Sequence, residues 1–266
     1  NVKFYDFIIL LIMKVINNNN SKYENLVFLC GARDFHAMDW YRSAQYELSP
    51  NKISILTDLI EGEGFKKITN KNDRIYHLII LDRFLFKNQS RIGDLWRNII
   101  KLPFLPIQVY LLKKHNKNNP NSIYYAHSMY YLWLAYLANV SFFGTPQGSD
   151  ILIKPFKSSF YKFLSKKSLN ASMFITVDSI KMQKKCEEIS GIKPYIVQNG
   201  IDIKSIQDFI SKEIKSNIYQ KRDKIISIRA LTPLYRIKEI LLARNSSSNP
   251  IDLIYPFYDE IYKNEI

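Results

Sequence analysis

The chain has 266 residues, a hydrophobic fraction of 47% and a formal net charge of +14 at pH 7. This length predicts one large or two smaller domains. The charge indicates an anionic partner, either a phosphorylated substrate, an acidic membrane surface or nucleic acid, unless the lysines only solvate the surface. The two cysteines, Cys30 and Cys186, exclude a disulfide framework and a cysteine metal site, which fits a reduced, cytoplasmic setting.

Residues 1–22 form an extra terminal segment ahead of the predicted fold. Its apolar stretch runs from Phe7 to Ile16, is broken by Lys14, and is shorter than the roughly 20 residues of a membrane-spanning helix. The basic start and small-residue cleavage site of a signal peptide are both missing. We expect a packed terminal helix, with an interfacial membrane anchor as the alternative.

From Tyr23 onward, short apolar runs alternate with amphipathic stretches of helical length. The runs are rich in β-branched and aromatic residues, as strands are. They are LVFLC (26–30), KISIL (52–56), IYHLIIL (75–81), IYYAH (123–127), VSFFG (140–144), MFITV (173–177) and YIVQ (195–198). Helices are predicted at 128–139, 158–169 and 178–190. The alternation predicts an α/β fold with a Rossmann-like, doubly wound parallel sheet.

A polar and charged stretch at 211–224 marks a change in the chain. Two further strands, KIISIR (224–229) and IDLIYPF (251–257), follow it with a helix between them. We predict an N-terminal Rossmann-like domain of residues 1–222 and the beginning of a second α/β domain at residues 223–266. Two strands cannot close a core alone, so the second piece either completes the first sheet or belongs to an incomplete domain.

Glycine and polar residues follow most of the predicted strands. They are Gly31, His127, the stretch GTPQGSD (144–150), Asp178 with Ser179, the stretch NGID (199–202) and Arg229. Each has a plainer interpretation: a turn, a helix N-cap, a core histidine or a surface ion pair. Because ligands of open parallel sheets bind beyond the carboxyl ends of the strands, their recurrence at that edge predicts a cleft.

The sequence has no glycine-rich phosphate loop of the GxGxxG or GxxxxGK type, so ordinary dinucleotide and P-loop nucleotide binding lose support. Nucleic-acid binding rests on charge alone, because no RNP, KH, helix-turn-helix or zinc-finger signature is present.

Several sequence blocks resemble glycosyltransferase family 4, over about residues 120–244. The run SIYYAHSMYYLWLAYLANVSFFGTPQGSDILI is similar to the middle of that family's N-terminal domain, where one strand ends in a histidine and the next in a GSD turn. The run LNASMFITVDSIKMQKKCEEISGIKPYIVQNGIDI is similar to the following block, which ends in an NGxD turn. The run KIISIRALTPLYRIKEILLA resembles the start of the family's C-terminal domain.

The resemblance implies a GT-B architecture and a retaining transfer of sugar from a nucleotide-sugar, with no metal or other cofactor. It implies catalytic roles for His127 and Asp150. It also implies contacts to the acceptor or the cleft by Gly31, Gly148, Ser149, Asn199, Gly200 and Asp202. Contacts to the donor diphosphate are implied for Arg229, Arg236 and Lys238. A guanidinium suits this last role, because it forms forked, charge-assisted hydrogen bonds to phosphate oxygens.

The implied partners are a nucleotide-sugar donor and a glycan or lipid-linked acceptor, as in the synthesis of bacterial lipopolysaccharide or capsule. The chain departs from the family pattern at Gln147, where a histidine or tryptophan is usual, and at Leu234, where a lysine is usual. The family's paired glutamates would fall past residue 266, so we expect a fragment or a truncated gene product. The alternatives are an inactive glycosyltransferase-like domain that binds a membrane or a partner, and a GT-B sugar-nucleotide epimerase.

Two segments are both basic and apolar. In 154–169, Phe156, Phe160, Phe163 and Leu164 are predicted to share one helical face, with most lysines off it. In 96–117, Pro103 and Pro106 are predicted to break the helix. Such segments would dock the protein peripherally at an anionic membrane, the inner face of the plasma membrane, unless these faces pack on the sheet.

Overall fold

The computed structural model describes residues 23–31, 34–57, 69, 73–78, 91–198, 203–215, 225–243, 250–255 and 258–266. The predictions for residues 1–22 and for the NGID stretch lie outside these residues. The chain divides into two compact units, Asn1–Gly200 and Ile201–Ile266. The division precedes the helix Ile203–Lys215, whereas sequence polarity predicts a boundary after residue 222.

Five parallel strands form the central sheet of the first unit, in the order β3-β2-β1-β4-β5. They are β1 Asn25–Leu29, β2 Ile53–Thr57, β3 Arg74–His77, β4 Ser122–His127 and β5 Phe142–Thr145. All five overlap the runs predicted from sequence. In β2 and β4 every residue is buried, which is typical of a parallel sheet covered on both faces.

The helices of the first unit connect these strands. They are α1 Phe35–Glu47, α2 Arg91–Asn118, α3 Met129–Ala138, α4 Gly148–Leu152, α5 Lys154–Lys157, α6 Ser159–Ala171 and α7 Ile180–Ser190. Helices α3, α6 and α7 confirm the predicted ones. The predicted break in α2 is wrong, because the helix continues through Pro103 and Pro106. Both prolines are exposed, while Gln108 and Leu112 on the same helix are buried, so packing of that face outweighs the lost amide donors.

Buried side chains form one cluster on each face of the sheet. Along β1, Val27 and Leu29 join one cluster and Leu26 and Phe28 join the other, because successive strand residues point to opposite faces. The first cluster includes residues of α2, α3, α6 and α7, and the second includes residues of α1. The predicted doubly wound α/β fold is therefore confirmed.

Two short strands extend the sheet beyond β5. They are β6 Thr176–Val177 and β7 Tyr195–Ile196, which pair in parallel. A bridge between Gly144 and Ile175 joins this pair to β5. A Cβ atom at Gly144 would lie 2.4 Å from the carbonyl oxygen of Ala126, so only glycine lets β5 sit against β4 here.

The second unit contains α8 Ile203–Lys215, β8 Ile225–Ser227, α9 Ile237–Ala243, β9 Ile251–Leu253 and α10 Glu260–Asn264. Strands β8 and β9 pair in parallel with each other, and both overlap predicted strands. Leu231, Ile237 and Tyr262 form its buried cluster. Across all described residues, no helix is both long and apolar enough to cross a bilayer.

Candidate functional site

The strand order of the sheet reverses between β1 and β4. These strands are neighbours, with Leu29 opposite Ala126, although a long stretch of chain separates them. Strands β2 and β3 continue to one side and β5 to the other. Open parallel sheets bind ligands at such a switch point, beyond the carboxyl ends of the strands. The loop after β1 and the turn after β4 therefore border the candidate site.

A carboxylate and an imidazole from these two loops meet at the switch point. His127 is the last residue of β4, and its Nδ1 lies 2.5 Å from Oδ2 of Asp34. The two side chains are 3% and 9% exposed. The other oxygen of Asp34 caps α1 by accepting from the amide of Ala37 at 3.3 Å, and the Asp34 amide donates to the carbonyl of Gly31. Gln147 Nε2 donates to Asp34 Oδ2 at 3.1 Å.

The carboxylate of the pair is ionised and orients the imidazole. Burial raises the pKa of Asp34, but the hydrogen bond and charge of His127, with the Ala37 amide and His36, hold it below its usual value. The carboxylate is therefore ionised at neutral pH and accepts the Nδ1 proton of His127. In the neutral ring, this hydrogen bond selects the tautomer whose Nε2 accepts a proton. Such a pair can orient a hydroxyl group or accept its proton.

The turn after His127 is strained. Ser128 has φ 73° and ψ 155°, a region that a residue other than glycine rarely occupies and that costs roughly 1–3 kcal/mol. Its amide donates to the carbonyl of Thr145, and the next amide, of Met129, donates to Asp150 Oδ2. The turn that carries His127 is thus fixed to the strand and turn that follow it in the sheet.

Asp150 is buried and uses both carboxylate oxygens. Oδ2 accepts from the amides of Met129 at 2.9 Å and Gln147 at 3.2 Å. Oδ1 accepts from Lys154 Nζ at 2.7 Å and from the Tyr161 hydroxyl at 3.2 Å. Burial, and then the Asp150 charge, raise the pKa of Tyr161, which therefore remains a proton donor. These contacts make Asp150 the junction of the two turns, and a catalytic role for it stays a prediction.

Three further predicted residues lie at the same edge of the sheet. A Cβ atom at Gly31 would lie 3.3 Å from the Tyr131 hydroxyl, whereas at Gly148 the nearest atom, Met182 Sδ, is 4.0 Å away. Ser149 is exposed in the first turn of α4. Their roles in binding stay predictions. The predicted sites Asn199, Gly200 and Asp202 lie outside the described residues.

Ser179 takes the plainer of its two interpretations. Ser179 caps α7 by accepting from the Met182 amide at 3.4 Å. This polar residue after β6 is thus accounted for by the start of a helix.

The predicted donor-binding cations all belong to the second unit. Arg229 is exposed, with its guanidinium 5.6 Å from the ring centre of Tyr235. Arg236 forms an ion pair with Glu239 at 3.0 Å, and Lys238 with Glu265 at 3.2 Å. These charged groups are exposed and therefore accessible to a ligand. Their role at a diphosphate stays a prediction.

Asp34 is a candidate site residue that sequence reasoning misses. It stands just before the apolar-periodic stretch FHAMDWY, where an aspartate is typical of a helix N-cap. That signal accounts for its bond to Ala37 but not for its bond to His127, which lies 93 positions along the chain. Gln147, noted only as a departure from a family pattern, also contacts Asp34.

The fold is the Rossmann-like α/β fold found in GT-B glycosyltransferases. Solved structures of that fold class match 86–91% of the chain. The GT-B expectation is confirmed as a fold. No family model matches the sequence, and no curated protein is similar to it in sequence.

Three particular structures illustrate the similarity. HepE of Anabaena in complex with UDP-glucose has 12% identity and a TM-score of 0.58, over 91% of this chain and 64% of that one. The sucrose-phosphate synthase of Thermosynechococcus elongatus has 11% identity and a TM-score of 0.55, over 86% and 61%. UGT73P12 of Glycyrrhiza uralensis has 12% identity and a TM-score of 0.54, over 88% and 63%. The chain thus spans 61–64% of the length of these three structures, and the likeness is one of fold.

Proposed function

We propose that the protein acts in sugar transfer, moving a glycosyl group from a nucleotide-sugar to a hydroxyl of a glycan or lipid-linked acceptor. The observation that carries the proposal is the buried Asp34–His127 pair, which lies at the switch point of the sheet. The fold around it is shared with structures that include HepE bound to UDP-glucose. Switch points are where doubly wound sheets bind their ligands, which supports a substrate at this pair.

The chemistry assigns a task to each group. In the transfer, the bond between the anomeric carbon and the diphosphate oxygen breaks, and a bond to the acceptor oxygen forms. The acceptor hydroxyl loses its proton, and the nucleoside diphosphate leaves. His127 would hold the reacting sugar or take that proton, with Asp34 fixing its tautomer. Arg229, Arg236 and Lys238 are proposed to neutralise the diphosphate, as cations at a leaving group do.

The stereochemistry separates the two tasks of His127. The resemblance to glycosyltransferase family 4 supports retention of anomeric configuration, in which His127 orients the donor sugar. Deprotonation of the acceptor by the Asp34–His127 pair would instead suit direct displacement with inversion. Proton NMR of the first-formed product reads the anomer directly. We expect retention, and transfer that continues unchanged in EDTA, because the proposal includes neither a metal nor another cofactor.

The acceptor proposal rests on charge. The net charge of +14 supports a phosphorylated or membrane-bound acceptor, as in bacterial lipopolysaccharide or capsule synthesis at the inner face of the plasma membrane. Transfer from labelled nucleotide-sugars to a bacterial lipid extract tests this part separately from donor binding.

The deciding experiment uses the full chain and its His127→Ala variant. Saturation-transfer NMR with UDP-glucose and with GDP-, ADP- and CMP-sugars measures donor binding, and release of labelled sugar measures turnover. His77→Ala is the matched control, because His77 is exposed at the end of β3. The proposal predicts binding or turnover of at least one donor that His127→Ala weakens and His77→Ala does not. If no donor binds or turns over, an inactive glycosyltransferase-like domain replaces it.

A further inference from the structure

Three phenylalanines are exposed on consecutive helices of the first unit. Phe156 of α5 is 47% exposed, and Phe160 and Phe163 of α6 are 68% and 60% exposed. The face predicted from sequence is thus divided, because Leu164 is buried while the three phenylalanines are not. A large exposed apolar patch rimmed by polar groups marks an interaction site.

The buried face of α6 explains why the phenylalanines point outward. That face consists of Leu164, Ser165, Ser168 and Leu169. Ser165 and Ser168 are fully buried, and the Ser168 hydroxyl lies 3.7 Å from Met129 Sδ of α3. The helix therefore places two leucines and two serines against the core, while its two phenylalanines, Phe160 and Phe163, face solvent. Packing within the unit does not require these phenylalanines, which points to a surface role.

Lysines lie close to two of the three rings. Lys162 and Lys185 lie 5.9 Å and 4.7 Å from the ring centre of Phe156, and Lys167 lies 5.8 Å from that of Phe163. Lys185 also pairs with Glu188. From Ile151 to Cys186 the sequence has eight lysines and one carboxylate, Asp178. We call Phe156, Phe160, Phe163, Lys162, Lys167 and Lys185 the phenylalanine–lysine surface.

We propose that the phenylalanine–lysine surface docks the protein on an anionic lipid bilayer. The lysines would lie at the headgroups and the three rings would enter the acyl boundary, as on interfacial helices. Ile153, on the same segment, is 49% exposed and adds an aliphatic side chain that cannot stack on a nucleic-acid base. All the cations of this segment are lysines, point charges that suit a diffuse anionic surface, with no arginine fork for a defined phosphate.

The surface adjoins the candidate site within the first unit. Lys154, at the start of α5, donates to Asp150, which holds the turn that carries His127. If the proposed sugar transfer holds, docking here would bring the site close to a lipid-linked acceptor. The docking itself does not depend on that transfer.

Flotation of the full chain tests the proposal. The vesicles are phosphatidylcholine alone, or equal parts of phosphatidylcholine and phosphatidylglycerol. We expect recovery with the anionic vesicles only, and partitioning reduced at least about tenfold by the combined change Phe156→Ser, Phe160→Ser and Phe163→Ser. Lys162→Gln with Lys167→Gln should weaken binding, whereas Lys52→Gln with Lys193→Gln, an equal loss of charge from exposed positions outside both basic segments, should weaken it less.

Three further measurements test folding, nucleic-acid binding and independence from sugar transfer. Thermal melts of the variants should match the wild type, since all three phenylalanines are exposed. Undiminished vesicle binding by the serine variant, or an equal loss in the Lys52 and Lys193 control, overturns the proposal. Binding to random DNA without binding to vesicles replaces it with a nucleic-acid surface. His127→Ala should float like the wild type, so failure of sugar transfer and failure of docking are distinguished.

Discussion

Asp34 contacts three neighbours through its two carboxylate oxygens. Oδ1 caps α1 through Ala37, and Oδ2 accepts from His127 and Gln147. One residue therefore couples the start of a helix to the tautomer of a histidine on another strand. This coupling can be broken on one side only, because asparagine caps helices as well as aspartate does.

Replacement of Asp34 by asparagine should lower sugar-transfer activity at least about tenfold while keeping the cap of α1. The amide group that replaces Oδ2 donates a hydrogen bond to Nδ1 of His127, so the neutral ring carries its proton on Nε2, which then cannot accept one. Initial rates across a pH series measure the effect, with thermal melts alongside. Asp39→Asn is the control, since Asp39 is exposed on the same helix. Equal activity of Asp34→Asn and the wild type would contradict a positioning role.

Two glycines at the same edge of the sheet should respond differently to alanine. Gly144→Ala places a Cβ atom 2.4 Å from a backbone oxygen of β4 and should cost about 3 kcal/mol of unfolding free energy. Gly148→Ala meets no atom closer than 4.0 Å and should leave that free energy nearly unchanged. Urea titrations of the two variants compare them.

Gly148→Ala also tests the binding prediction for the GSD turn. If a ligand approaches the Gly148 backbone closely, the added methyl group weakens donor or acceptor binding in a folded protein. Unchanged binding and turnover in this variant would return the GSD turn to a purely structural role.

The contact of α2 with the sheet contains a buried histidine. His115 Nδ1 lies 2.8 Å from the Tyr124 hydroxyl of β4, and Tyr76 of β3 packs against the ring with its centre 4.6 Å away. Burial, with a smaller contribution from the Arg74 charge, lowers the pKa of His115 from 6.5 to about 4. Among the described residues, Nε2 has no hydrogen-bond partner. The helix–sheet contact therefore requires the neutral ring.

Acid should weaken this contact before it affects most carboxylates. Between pH about 6.5 and about 4 the unfolded chain binds a proton at His115 that the folded chain does not, so the free energy of unfolding falls as the pH falls through this window. Above it the neutral ring is present in both states and adds no pH dependence. Urea titrations at several pH values should show a shallower fall for His115→Gln, and parallel curves for the two proteins would contradict the assignment.

The elements were more predictable than the site. Period and β-branched composition locate the five central strands, because a parallel sheet buries whole runs of residues. The path of α2 through Pro103 and Pro106 is not predictable, since it depends on burial of Gln108 and Leu112 against parts of the first unit that are distant in sequence. His127 was found because it ends a strand. Its partner Asp34 was not, because the pairing depends on β1 and β4 being neighbours, which local sequence does not encode.

The exposure of Phe160 and Phe163 also depends on tertiary packing rather than on local sequence. Sequence spacing places them on one helical face, but whether that face or the serine face meets α3 is decided by tertiary packing. Sequence periodicity predicts that the helix has an apolar face. It does not predict whether that face packs on the protein, because the small side chains of the opposite face can approach the core more closely.

The two units differ greatly in how much apolar surface they bury. The first has two clusters that cover both faces of its sheet, whereas the described part of the second buries Leu231, Ile237 and Tyr262 as its cluster. In β8, Ile226 is 59% exposed. Small cores give low stability, because little apolar area offsets the entropy of ordering the chain.

The second unit should therefore open before the first. Hydrogen exchange followed by mass spectrometry should show amides of Ile225–Ser227 and Ile251–Leu253 exchanging at least about tenfold faster than those of Asn25–Leu29 and Ser122–His127. Both pairs are hydrogen-bonded parallel strands, but β1 and β4 are central in a five-stranded sheet, whereas β8 and β9 pair only with each other among the described residues, so the difference reports sheet position together with the supporting core. Addition of a bound nucleotide-sugar should slow exchange in the second unit if Arg229 and its neighbours contact the diphosphate. Equal protection of both strand pairs without ligand would show that the second unit is stabilised by contacts beyond its own small cluster.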